Sequence, residues 1–130
     1  MGGSSAKVPE GVQLHTRSRE LELTWPGGER YTLSCEYLRV YSPSAEARGH
    51  GPGQEVLQTG KLNVGITAIR PVGNYALQLV FDDGHDTGLY AWDYLYELCV
   101  NREAWWQAYL ERLDATGASR DPDVQVVKLL

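Results

Sequence analysis

The chain has 130 residues, 42% hydrophobic and 22% charged, which is the composition of one ordinary globular domain and excludes disorder of the whole. Twelve Lys and Arg against 17 Asp and Glu leave a net charge of −5, which opposes binding to nucleic-acid phosphates. Two cysteines cannot build a disulfide scaffold and fit a reducing cytoplasm, and no apolar run reaches the ~20 residues that span a bilayer.

Residues 1–10, Gly- and Ser-rich with a lysine and one apolar Val8, are expected to form a flexible lead without a signal region. The domain proper is expected over 11–117. Its first elements are strands at 12–17 and 20–25, where apolar and polar residues alternate as on a half-buried antiparallel strand. Pro26, Gly27 and Gly28 turn the chain into a short return strand at 31–33. Ser34 is placed to cap a short helix over 35–40, which Ser42-Pro43 ends. Residues 44–60 carry Gly49, Gly51, Pro52, Gly53 and Gly60 and read as a long loop.

Alternation resumes at 64–70, and 75–81 is the most hydrophobic stretch, a central strand. Asp82, Asp83, Gly84, His85 and Asp86 read as a hairpin turn before a short strand at 87–90. Trp92, Leu95, Tyr96 and Cys99 share one helical face, as do Trp106, Tyr109, Leu110 and Leu113, which predicts helices over 92–100 and 103–115 with Gly117 as the stop. A tail follows over 118–130. The expected fold is α+β, a small antiparallel sheet with the C-terminal helices packed on one side. Its expected core contains Trp25, Leu38, Ile66, Leu77, Leu79, Leu95 and Leu110.

Several residues could carry chemistry. The crowd of Asp82, Asp83, His85 and Asp86 suits a general base with an orienting carboxylate, a metal cluster, or simply a turn whose aspartates cap the backbone. His50 with His85 and Asp83 or Asp86 could hold iron or zinc if the fold brought them together; otherwise both histidines are solvated. Cys35 and Cys99 read as small buried hydrophobes. No serine-hydrolase elbow, Walker loop or dinucleotide fingerprint is present. Trp92, Tyr94, Trp105 and Trp106 cluster in the two C-terminal helices on more than one face, so core packing explains part of them and a protein-partner surface the remainder.

The stretches Leu38-Arg39, Ser42-Pro43-Ser44-Ala45, Arg48-Gly49-His50-Gly51, Val72-Gly73-Asn74-Tyr75-Ala76 and Asp83-Gly84-His85-x-x-Gly-Leu-Tyr, in that order, resemble the N-terminal domain of gamma-butyrobetaine hydroxylase and its free-standing bacterial relatives. The resemblance covers roughly residues 12–115. In the hydroxylase this domain precedes an oxygenase domain that binds iron and 2-oxoglutarate; these 130 residues leave no room for one, so hydroxylase activity is not expected. Similar domains are also fused to iron–sulfur carrier ATPases. In the zinc-binding members a Cys-Pro-Cys-Ala-x-Cys segment and the histidine of Asp-Gly-His form a Cys3His site. Here Ser42, Ser44 and Ala47 stand at the cysteine positions and His85 at the histidine. A serine hydroxyl stays protonated near pH 7 and alanine has no donor, so no structural zinc and no catalytic residue are expected, and Ser42 should hydrogen-bond to His85 instead.

The resulting expectation is a non-catalytic, cytoplasmic accessory domain that binds a protein partner, without nucleic acid, membrane or cofactor. The alternative is an iron- or zinc-binding protein linked to iron metabolism.

Overall fold

The computed structural model describes residues 7–48, 56–124 and 126. Among them are strands β1 (Gly11–His15), β2 (Glu20–Thr24) and β3 (Arg30–Ser34), helices α1 (Cys35–Val40) and α2 (Ala45–Arg48), strands β4 (Ile66–Val72), β5 (Ala76–Phe81) and β6 (Leu89–Ala91), and helices α3 (Trp92–Val100) and α4 (Arg102–Thr116). The α+β class is as expected. The strands are divided between two antiparallel sheets of three, β1-β2-β3 and β4-β5-β6, each in sequence order.

The first sheet follows directly from alternation. Leu21 and Leu23 of β2 are buried while Glu20, Glu22 and Thr24 are half-buried, and the register pairs Leu21 with Leu33 and Val12 with Leu23. Such a pattern lays one apolar face of the sheet on the core. Gly27 and Gly28 close the β2–β3 turn at φ of +95° and +93°, a region that costs glycine nothing. Ser34 then ends β3 and starts α1: in an extended conformation its Oγ accepts the Tyr37 amide at 3.0 Å.

In the second sheet β5 is central, paired with β4 over its length and with β6 only through Ala76, Leu77 and Gln78. β4 bulges between Ile66 and Ala68 and runs on through Pro71, tolerated because β4 is an edge strand. The 82–88 connection is longer than the tight hairpin turn expected. It runs beside the free half of β5, held by Phe81 N–H to His85 O at 3.0 Å and Gln78 Nε2 to Asp86 O at 2.8 Å. This detour carries His85 toward α1.

One buried cluster joins the two sheets and the helices through Leu21, Leu23, Trp25, Leu33, Leu38, Leu77, Leu79, Phe81, Tyr90, Leu95 and Leu98, among others. Leu110 is a correction: it is half-buried, and α4 buries Tyr109 and Leu113 instead. The apolar residues of α4 spread over two faces, with Trp105 and Trp106 both partly covered, so no single stripe reaches the core. Gly117, at φ +69°, stops α4 as expected.

The first residues of the expected tail are tied down. Gly60 N–H donates to Ser119 O and Leu62 N–H to Arg120 O, both at 3.0 Å. The Arg120 guanidinium clasps buried Glu36 with two bonds of 2.8 and 2.7 Å and lies 5.2 Å from the Trp106 ring centre. Residues 1–6, most of the Gly/Pro-rich stretch including His50, and 127–130 lie outside the described residues, and no described helix is long and apolar enough to cross a membrane.

Candidate functional site

Cap and connection converge just after α1. Tyr41 N–H donates to Tyr37 O and Ser42 N–H to Arg39 O, both at 3.2 Å, so the helix closes and Pro43 turns the chain away. This leaves Ser42 and Ser44 side by side, both buried, with hydroxyl oxygens 3.2 Å apart. His85 arrives from the 82–88 connection: its Nε2 lies 2.8 Å from Ser42 Oγ and 3.2 Å from Ser44 Oγ. The expected Ser42–His85 contact is therefore present, and Ser44 joins it.

A second layer fixes this connection. Asp83 accepts from Arg39 Nε at 2.9 Å, Lys61 Nζ at 2.6 Å and its near neighbour His85 N–H at 3.2 Å. Burial works against its ionised form, but the Lys61 bond and the Arg39 charge outweigh it and hold the carboxyl below its ordinary range. Asp83 is thus a committed carboxylate with two cations on it, not a general acid poised near neutrality. Asp86 is exposed and contributes its main-chain carbonyl to Gln78. Among the described residues no group of three His, Cys, Asp or Glu is arranged to hold a metal.

Ser42, Ser44, Ala47 and His85 do not fit zinc. Around a tetrahedral ion with bonds near 2.0–2.3 Å, ligand atoms stand roughly 3.5 Å apart. The Ser42, Ser44 and His85 atoms sit 2.8–3.2 Å from one another, which is hydrogen-bond contact. Ala47 is buried and offers no donor.

Glycine at position 88 makes the arrangement possible. A Cβ there would meet Ser42 Oγ at 2.6 Å, Pro43 Cδ at 3.2 Å and Tyr90 Cε1 at 3.3 Å. We expect Gly88→Ala to cost about 1–3 kcal/mol through overpacking and to move the His85 ring signals in an NMR spectrum. An unchanged melting curve with unchanged His85 signals would show that the connection is not held there.

Beside Ser42 opens a cleft of about 290 Å³ lined by Tyr41, Ser42, Ala47, Gln58, Tyr94, Trp105, Tyr109 and Arg112. Trp105, Tyr109 and Arg112 recur at i, i+4 and i+7 on one face of α4. The tyrosines are fixed by their hydroxyls: Tyr41 donates to Trp105 O at 2.6 Å, Tyr94 to Tyr41 O at 2.6 Å and Tyr109 to Gln58 O at 2.7 Å. Of the aromatic candidates, Tyr94 and Trp105 line this cleft. Trp106 lines a second depression with Tyr37 and Arg102, and Trp92 donates to Asn74 O at 2.7 Å. All four are half-buried against the core rather than fully exposed. Tyr41, Tyr109 and Arg112 escaped the sequence reading as site residues, although the i, i+4, i+7 spacing on α4 was there to find. Cys35 and Cys99 are free and buried, with desolvation pushing both thiols up to about 11, which leaves them unreactive.

The family model described as gamma-butyrobetaine hydroxylase-like, N-terminal matches residues 12–96. Two solution structures determined by NMR are similar. One is 52% identical over 97% of this chain and 99% of its own, with a TM-score of 0.82. The other is 53% identical over 100% and 98%, with a TM-score of 0.79. A crystal structure at 1.93 Å of a protein with unknown function of the DUF971 family from Acidithiobacillus ferrooxidans is 38% identical, covering 69% of this chain and 90% of its own at a TM-score of 0.59. None of the curated proteins matches the chain.

Proposed function

Because the chain belongs to the gamma-butyrobetaine hydroxylase-like N-terminal family, we propose that it acts as a non-catalytic accessory domain that binds a protein partner. The observation that carries this reading is the aromatic cleft beside Ser42, a concave, apolar and pre-fixed surface on a small domain. Two further features support it. Asp83 is held as an ion-paired carboxylate, and Ser42, Ser44 and His85 hold the 82–88 connection to the end of α1 by hydrogen bonds, which gives both groups a structural role. The partner is taken to be protein rather than nucleic acid because the chain carries −5. Two free, unreactive thiols suit the cytoplasm.

Untagged protein purified gently from its source cells tests the reading, through hydrodynamic size and elemental analysis of one preparation. The expected outcome is an assembly with a second polypeptide, sub-stoichiometric zinc and iron, and a thermal midpoint indifferent to a strong chelator. A bare chain with near-equimolar metal and a chelator-sensitive midpoint would overturn it in favour of the metal-binding alternative.

A further inference from the structure

We propose that the cleft between α1, α3 and α4 receives a short peptide segment of the partner in which a large apolar side chain is followed by a carboxylate, with Arg112 as its counter-ion. This deepens the accessory reading above and rests on it.

The cleft's size suits one side chain. About 290 Å³ lies at the lower bound of ordinary ligand pockets and accepts one aromatic or branched aliphatic group, not a helix. Its walls are prepared for that group. Trp105 packs between Tyr41 and Tyr94 in tilted ring contacts, with Tyr41–Trp105 centroids 5.5 Å apart and Tyr94–Trp105 centroids 6.5 Å apart. Since three tyrosine hydroxyls already donate to main-chain carbonyls, little side-chain freedom is lost on binding.

Charge supplies the second half of the argument. Arg39, Lys61 and Arg120 are each committed to an acidic side chain of the chain itself. Arg112, exposed at the cleft, has no such carboxylate among the described residues and forms no salt bridge with any of them. Burial keeps Tyr41 and Tyr109 protonated well past neutrality, so no phenolate answers the guanidinium. A cation with no carboxylate of its own among the described residues, at the rim of this aromatic cleft, favours an acidic group there. The planar guanidinium matches a carboxylate through two parallel hydrogen bonds.

The test is an NMR titration of the full, isotope-labelled chain with two capped hexapeptides, one carrying phenylalanine followed by glutamate and the other glutamine in place of that glutamate. Saturable shifts should be confined to Tyr41, Tyr94, Trp105, Tyr109 and their neighbours, and the glutamate peptide should bind about fivefold more tightly or better. Arg112→Gln, at an exposed position that leaves the fold's spectrum intact, should erase the difference between the peptides while the residual apolar binding remains. Shifts elsewhere, no saturation, or equal affinity of the two peptides for the unmodified chain would overturn the proposal. So would saturable binding of 4-phenylbutyrate with no binding of either peptide, which would make the cleft a small-molecule site. Should the peptides fail while the native assembly persists, the accessory reading stands and the partner uses another face.

Discussion

Replacing Leu79 with alanine is expected to lower the unfolding free energy by about 2–5 kcal/mol, the range for emptying a large aliphatic site in a close-packed core. Leu79 is fully buried and lies on β5, the central strand of its sheet, opposite Ile69 of β4. Its strand neighbours Leu77 and Phe81 are buried in the same cluster, which also contains Leu21 and Leu33 of the other sheet. Leu79 is paired to β4 and enclosed by the buried cluster, and close-packed surroundings relax little, so the cavity would persist rather than collapse. Urea unfolding measures the loss, with an unchanged denaturant slope showing that the two states compared are the same. Leu110→Ala is the internal control: half-buried on α4, it should cost far less. A change under about 1 kcal/mol at Leu79 would remove β5 from the centre of the structure.

Arg120→Ala should be the second large effect, and of a different kind. Glu36 is buried on α1, and Arg120 meets both of its carboxylate oxygens, at 2.8 and 2.7 Å. Deleting one member of a buried ion pair typically costs about 3–5 kcal/mol, because a charge is left in a poor solvent. The Arg120 side chain is 38% exposed, so water can reach the carboxylate once it is gone; we expect a loss below that range, about 2–3 kcal/mol. Pairing Arg120→Ala with Glu36→Gln removes the stranded charge and should restore part of the loss. Additive effects of the two substitutions would show that the clasp contributes only its packing on Trp106.

Local pattern carried much of the architecture. Alternation at Leu21 and Leu23, the Ser34 cap and the Gly117 stop all lie in the elements that their neighbours in sequence imply. What local pattern does not encode is which strands pair across a long gap. Val64, Ile66 and Ala68 alternate as the first strands do, yet β4 pairs only with β5, because the choice is made by tertiary packing. The four-residue helix α2 lay hidden for a similar reason: Ala45 to Arg48 is too short to show a period. At the site, the meeting of Ser42 with His85 was legible through the family resemblance. The cleft was not, since Tyr41, Gln58, Tyr94 and Arg112 come from four distant segments. Arg120 looked like part of a polar tail, and only the fold shows the carboxylate it faces.

The sheets' serial order has a kinetic consequence. Each sheet is built from strands consecutive in the chain, so each can form by short loop closures. Docking the two meanders and then threading residues 119–121 across Glu36 demand far longer closures, the Arg120–Glu36 contact spanning 84 residues. We expect such contacts to form late, after the transition state has been crossed, which φ-values for Arg120→Ala would measure. The clasp therefore acts as a latch on the finished molecule: weakening it hastens unfolding and leaves the folding rate nearly untouched. Lifetime of the native state and speed of reaching it are set by different parts of the chain.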